Sequence, residues 1–254
     1  MRAAFSIAFL ELRARRKRLL ALTTFAGLFL AAGLTARLLT DPASGQAAAD
    51  QLFLIGGYPL VSALLLLGWL LGRFPLIATL VLMAGIVSDD ETNGLGRLYA
   101  VRPVRPATIY GARFVILTTT AFLLSAILLP AFDLLLLGTW AGPATLVLIL
   151  ANVLVFGALI TLLSTWTRGD AWIALGLAIT SIIWNALRIA DELPVPIGVR
   201  DFISLILPPQ AALLRLEGAF GTLEPIPWDA FAYTTGYGSV LLLLAFLVLR
   251  RREL

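Results

Sequence analysis

The 254-residue chain contains no cysteine and no histidine. That excludes thiol nucleophiles, cysteine or histidine metal sites, Ser-His-Asp catalysis and haem ligation by either side chain. Lysine occurs once, at Lys17, and Arg18 follows it, so no Gly-Lys-Ser/Thr phosphate loop exists in the chain. Any use of ATP would therefore depend on another chain. Charge is scarce as well: 13% of residues are charged, against about a quarter in soluble domains. The expectation is a protein with no catalytic residues, no cofactor and no metal.

Hydrophobic residues make up 60% of the chain, and mean hydropathy is +0.95. The apolar runs are about 20 residues long, enough to cross a hydrocarbon core of roughly 30 Å as helices. Backbone groups in lipid must bond within their own segment, and no period-two alternation points to a barrel. The expected fold is an all-α integral membrane protein, a single polytopic unit over 1–254, with six transmembrane helices and an N-terminal amphipathic interfacial helix.

Residues 1–18 place Phe5, Phe9 and Leu12 at helical spacing, followed by Arg13, Arg15, Arg16, Lys17 and Arg18. The pattern fits a helix lying on the membrane surface or a simple basic anchor. Spans are expected at about 19–39, 60–87, 108–129, 143–165, 171–190 and 230–249. The apolar stretch 52–87 is too long for one crossing, at roughly 54 Å. Two crossings would export Arg97, Arg102 and Arg105, so it reads as one crossing that ends near Val87 after an outer piece broken at Gly56-Gly57-Tyr58-Pro59. Pro130 is expected to end the third span. Residues 191–229 read as an outer segment with a short surface helix over 210–220.

This arrangement places both termini, Arg113 and Arg168 on the inner side. Arg37, Arg188, Arg200 and Arg215 remain outside among more numerous acids. The bias is the one expected of a membrane protein with cytoplasmic ends. The net charge of +4 sits at the ends of apolar runs rather than on a basic face with interleaved aromatics, so no nucleic-acid partner is expected. The lipid bilayer is the implied surroundings.

The densest polar feature is the island 88–106. Asp89, Asp90 and Glu91 are followed by Gly94, Leu95, Arg97, Leu98, Tyr99, Arg102, Pro103, Val104 and Arg105, with Ile109, Gly111 and Arg113 opening the next run. The acids favour a helix N-terminus by about 0.3–1 kcal/mol each. Pro103 would stop that helix. Leu95, Leu98 and Tyr99 would offer an apolar anchor to a partner groove. The bland alternative is a solvated loop whose charges only set topology.

The island resembles the first cytoplasmic loop of the type-2 family of ATP-binding-cassette exporter permeases. The family pattern runs acid, Gly-Thr, a short helix, Pro-Val-Ser-Arg, then an aliphatic residue and Gly-Lys. Gly94 and Pro103 keep the nine-residue separation, and Val104 and Ile109 also match. Leu95 stands at the threonine, Arg105-Pro106 replaces Ser-Arg, and Ala112-Arg113 replaces Gly-Lys.

The resemblance implies a permease subunit of an exporter in a bacterial cytoplasmic (inner) membrane. It would form a homodimer or heterodimer and pair with separate cytoplasmic ATPase subunits. Asp90, Glu91, Gly94, Leu95, Leu98, Tyr99, Pro103 and Arg105 would then form the coupling loop. An ion-coupled secondary transporter, or another polytopic membrane protein, is the competing class.

Two further residues are candidates for a substrate path. Arg73, in Gly72-Arg73-Phe74-Pro75, falls inside a span, where a central arginine costs roughly 2.5–3.5 kcal/mol and usually faces protein or water. Asn185 lies near the outer end of the fifth span and would either line a path or bond to a neighbouring helix.

Overall fold

The computed structural model describes residues 2–39, 72–92, 106–136, 140, 142–191, 195–222 and 225–251. Ten helices make up this part of the chain. They are α1 (Arg2–Ala14), α2 (Arg16–Leu39), α3 (Phe74–Met83), α4 (Ser88–Thr92), α5 (Pro106–Leu136), α6 (Pro143–Ser164), α7 (Asp170–Ile189), α8 (Ile197–Ile206), α9 (Gln210–Thr222) and α10 (Trp228–Arg251). No strand occurs among the described residues. Four helices, α5, α6, α7 and α10, are long and apolar enough to cross a membrane, and a fifth crossing exists if α8 and α9 count as one broken span.

Helix α6 is apolar on every side, and such a helix belongs in an interior. It packs against α3, α5, α7, α9 and α10. Small residues set the closest approach. A Cβ on Gly238 of α10 would lie 3.3 Å from the Leu154 carbonyl oxygen of α6, and one on Gly157 would press on Met83 and Thr118. Helices in lipid have no hydrophobic drive toward one another, and close backbone packing of this kind supplies their adhesion.

Helices α7 and α10 each bury one stripe and expose the rest. Ala174, Ala178, Ser181 and Asn185 are buried on α7, and Ala230, Thr234, Gly238, Ala245 and Leu249 on α10. Their open faces carry Trp172, Ile179, Ile183, Val240, Leu243 and Leu247. Apolar side chains therefore face outward as well as inward, which is the pattern compatible with a bilayer. Hydroxyls inside the bundle bond back to the preceding turn: Thr79 to Pro75, Ser125 to Ala121 and Thr161 to Gly157.

Helix α3 is short but nearly enclosed. Phe74, Ala78 and Leu82 pack with Leu22 and Phe29 of α2, Leu128 of α5 and Val153 of α6. Leu76, Leu80 and Met83 join a second cluster with Phe156, Leu213 and Leu216. Pro75 suits the first turn of this helix, where its missing N–H breaks no bond.

Two features differ from the sequence expectations. Helix α5 continues past Pro130 to Leu136. Packed neighbours let a membrane helix tolerate the lost bond. The helix expected over 210–220 is present as α9, yet Ala212, Leu213, Leu216 and Ala219 fix one side of it in the core rather than on the surface. It meets α8 at a bend of 73°. Leu207, Pro208 and Pro209 make that elbow, because a residue before proline is pushed to extended backbone and ψ at Leu207 is 153°. The outer piece expected around 56–59 lies outside the described residues, as does the start of the second span.

Candidate functional site

The polar island leaves the bundle through a clamp of buried charges. Helix α3 ends at Met83, and four turn residues, 84–87, lead into α4. Arg15, in the joint between α1 and α2, donates from Nη1 to the carbonyls of Leu82 (2.5 Å) and Ala84 (2.6 Å). Arg18 also donates to Ala84, at 2.6 Å. Two guanidinium groups therefore sit at the negative end of α3, where the last carbonyls have no helical donor.

Gly85 turns the chain with φ of +74°, a backbone that costs other residues roughly 1–2 kcal/mol. Its N–H donates to Asp170 Oδ2 at 2.8 Å, from the first turn of α7. The next two free N–H groups, of Val87 and Ser88, both donate to Ser164 Oγ at 3.0 Å. Ser164 closes α6, so its hydroxyl, with two lone pairs, receives the whole turn.

Beyond the turn, Asp90 points inward and is buried. Its Oδ2 accepts from Arg113 Nη1 (2.6 Å) and from the Tyr110 hydroxyl (3.2 Å), both on α5. Arg113 also meets Glu11 Oε2 at 3.1 Å and the Ile86 carbonyl at 3.2 Å. Glu11 in turn accepts from Arg15 Nε at 2.8 Å. The result is one continuous chain of charges, Asp90–Arg113–Glu11–Arg15, that ends on the α3 carbonyls. Asp89 stands at its edge, half-exposed, 3.9 Å from Arg15 and 3.7 Å from Arg18. Partial burial pushes its carboxyl above the ordinary aspartate range, and the two arginines oppose that shift.

Of the residues expected to form a coupling loop, Asp90 is part of this clamp. Glu91 belongs to α4, but its side chain lies outside the described residues, as do Gly94, Leu95, Leu98, Tyr99, Pro103 and Arg105. The partners of Asp90 were not among the sequence candidates. Arg113 carried a signal, since it stands at the basic position of the family pattern. Glu11, Arg15, Ser164 and Asp170 carried none beyond lying at helix ends on the inner side.

Arg73 is buried at the N-terminal end of α3 and pairs with Glu217 of α9 at 3.1 Å. Asn185 lines a cleft of about 360 Å³ between the end of α7, the α8–α9 elbow and the start of α10. The two are not brought together, because Arg73 is not among the residues lining that cleft. Among the described residues no group of three or more acidic side chains could hold a metal ion. Comparison with models of known protein families and with curated proteins gives no match.

Proposed function

We propose that the chain is the membrane-spanning subunit of an ATP-binding-cassette exporter, driven through the 88–106 loop by separate ATPase subunits. The observation that carries the reading is the clamp at the root of that loop. Bonds from the α1–α2 joint and from α2, α5, α6 and α7 converge on residues 82–90. A load applied to a solvated connector would dissipate in its own backbone. A load applied here is felt by these four helices and the joint, because the ties are short and most of them are buried. The missing phosphate loop and the resemblance of the island point the same way.

In this reading six spans cross a bacterial inner membrane with both termini cytoplasmic. The chain pairs with a second permease copy or a homologue. ATP-driven closure of the ATPases pushes the island, and α3 passes the push towards α9 through Arg73 and Glu217. The chain itself carries out no covalent chemistry.

The test is affinity purification of the tagged chain in mild detergent. An ATPase subunit in equal amount is the expected companion, and the chain freed of it should hydrolyse no ATP. Hydrolysis by the chain alone, or the repeated absence of any ATPase under conditions that preserve the permease dimer, overturns the assignment.

A further inference from the structure

The cleft at the other end of α7 is about 30 Å from the clamp, given 20 helical residues between them. At about 360 Å³ it falls within the range of small-ligand sites, roughly 300–1,000 Å³. Its wall is unusual in what it leaves unmade. Three acceptor groups there are already taken. Both Asp229 oxygens are held by Arg215, at 2.7 and 3.2 Å. The Pro208 carbonyl accepts from the Ser181 hydroxyl and the Gln210 N–H, at 2.6 and 2.7 Å. Ser204 Oγ accepts from the Trp184 indole and from Arg188, at 3.1 and 3.3 Å.

Several donors on the same wall are left over. Gln210 is 4% exposed and its Nε2 has no hydrogen-bond partner. A buried amide left this way is costly and calls for something to bind it. Gln210 opens α9, so the first-turn N–H groups of Ala211 and Ala212 have no helical carbonyl behind them. They lie on the same wall, at the positive end of a 13-residue helix. Arg188 and Arg215 flank the opening and keep further N–H groups after pairing with Asp201 and Asp229.

We infer that this cleft binds an anionic phosphate group, seated between the Gln210 amide, the α9 N-terminus and the Arg188 and Arg215 guanidinium groups. A helix N-terminus together with a buried amide and two arginines is donor-rich and suits tetrahedral oxygens. Asp229 is the one carboxylate on the wall, and Arg215 neutralises it. The phosphate is either a free anion or the headgroup of an amphiphile. The second source is open to it because Ile183, Ile189 and Phe202 expose apolar surface on the two helices beside the cleft. The inference does not depend on an ATPase partner, since binding is read on this chain alone.

The test uses the full chain purified in neutral detergent without phosphate buffer. The probes are inorganic phosphate, dihexanoyl phosphatidic acid and dihexanoylglycerol, titrated by calorimetry. Saturable one-site binding of at least one phosphate-bearing probe is expected, with none for dihexanoylglycerol. Inorganic phosphate binding assigns the free anion, and binding of phosphatidic acid alone assigns a headgroup. Arg188→Gln and Gln210→Leu should each weaken binding about tenfold or more, as for loss of a charge-assisted or buried bond. Arg168→Gln, at the opposite end, should change nothing. Arg188 is exposed, so its variant tests the site even if Gln210→Leu disturbs the fold. The inference fails if neither phosphate probe binds, if dihexanoylglycerol matches phosphatidic acid, or if Arg188→Gln binds like the wild type.

Discussion

Removing the Arg113 guanidinium is the perturbation on which the clamp makes the most definite claim. Arg113 is 3% exposed and lies between two carboxylates, Asp90 at 2.6 Å and Glu11 at 3.1 Å. Arg113→Met keeps most of the stem and deletes the charge. Asp90 then retains only the Tyr110 hydroxyl, while Glu11 falls back on Arg15. Breaking one side of a buried pair costs about 3–5 kcal/mol, because the remaining charge is left uncompensated. Asp90→Asn should cost less, about 1–3 kcal/mol, since the amide oxygen still accepts and Glu11 still faces the guanidinium. The double variant removes both charges and should be less destabilised than the sum of the singles, with a coupling of about 1–3 kcal/mol. The assay is unfolding in mixed micelles titrated with dodecyl sulfate and followed by far-UV circular dichroism. If both single variants stay within about 0.5 kcal/mol of the wild type, or if their effects simply add, the charges do not hold the root of the loop.

Four other outcomes follow from named contacts. Gly85→Ala should destabilise by about 1–3 kcal/mol in the same assay, since φ is +74° and the new methyl meets the Asp89 carboxylate. Asp89 has a folded-state pKa above its unfolded value, so its contribution favours folding at acid pH and is lost as pH rises through the raised pKa. Asp89→Asn should therefore flatten that part of the stability–pH profile, and an unchanged slope would count against the assignment. Arg73→Ala and Glu217→Gln should each destabilise, and a double-mutant cycle should give a coupling of about 1–2 kcal/mol if the 3.1 Å pair ties α3 to α9. Leu98→Ala or Tyr99→Ala should weaken ATPase association by about 1–3 kcal/mol, measured by co-purification, while Glu91→Ala should cost less, as a charge at the rim of an interface does.

Hydropathy and period made much of the helix order legible. The runs read as 143–165, 171–190 and 230–249 appear as α6, α7 and α10 with ends shifted by one or two residues. The misreadings have a common cause. In isolation Pro130 would end its helix. In the bundle, neighbours decide the result: α5 continues through one proline, and the 208–209 pair turns α9 back into the core. The stripe that takes α9 inward, Ala212, Leu213, Leu216 and Ala219, was present at helical spacing all along. Its signal was outweighed by the polar residues around it.

The clamp was out of reach for a different reason. Its bonds join positions 67, 76 and 85 residues apart, and periodicity carries no information across such gaps. Depth does carry some. Arg15 precedes and Arg18 lies at the start of the first long helix, Asp90 follows the end of α3, Arg113 sits in the early turns of α5, Ser164 ends α6 and Asp170 starts α7. Helices that cross one slab in alternating directions bring those ends to a common level. Charges and unpaired helix-end amides at one level, beside apolar walls, gain most by bonding to one another. Pairing helix ends by depth, rather than reading each helix alone, would have placed Asp90 opposite Arg113. It would also have marked the acid at the root of the island as an anchor.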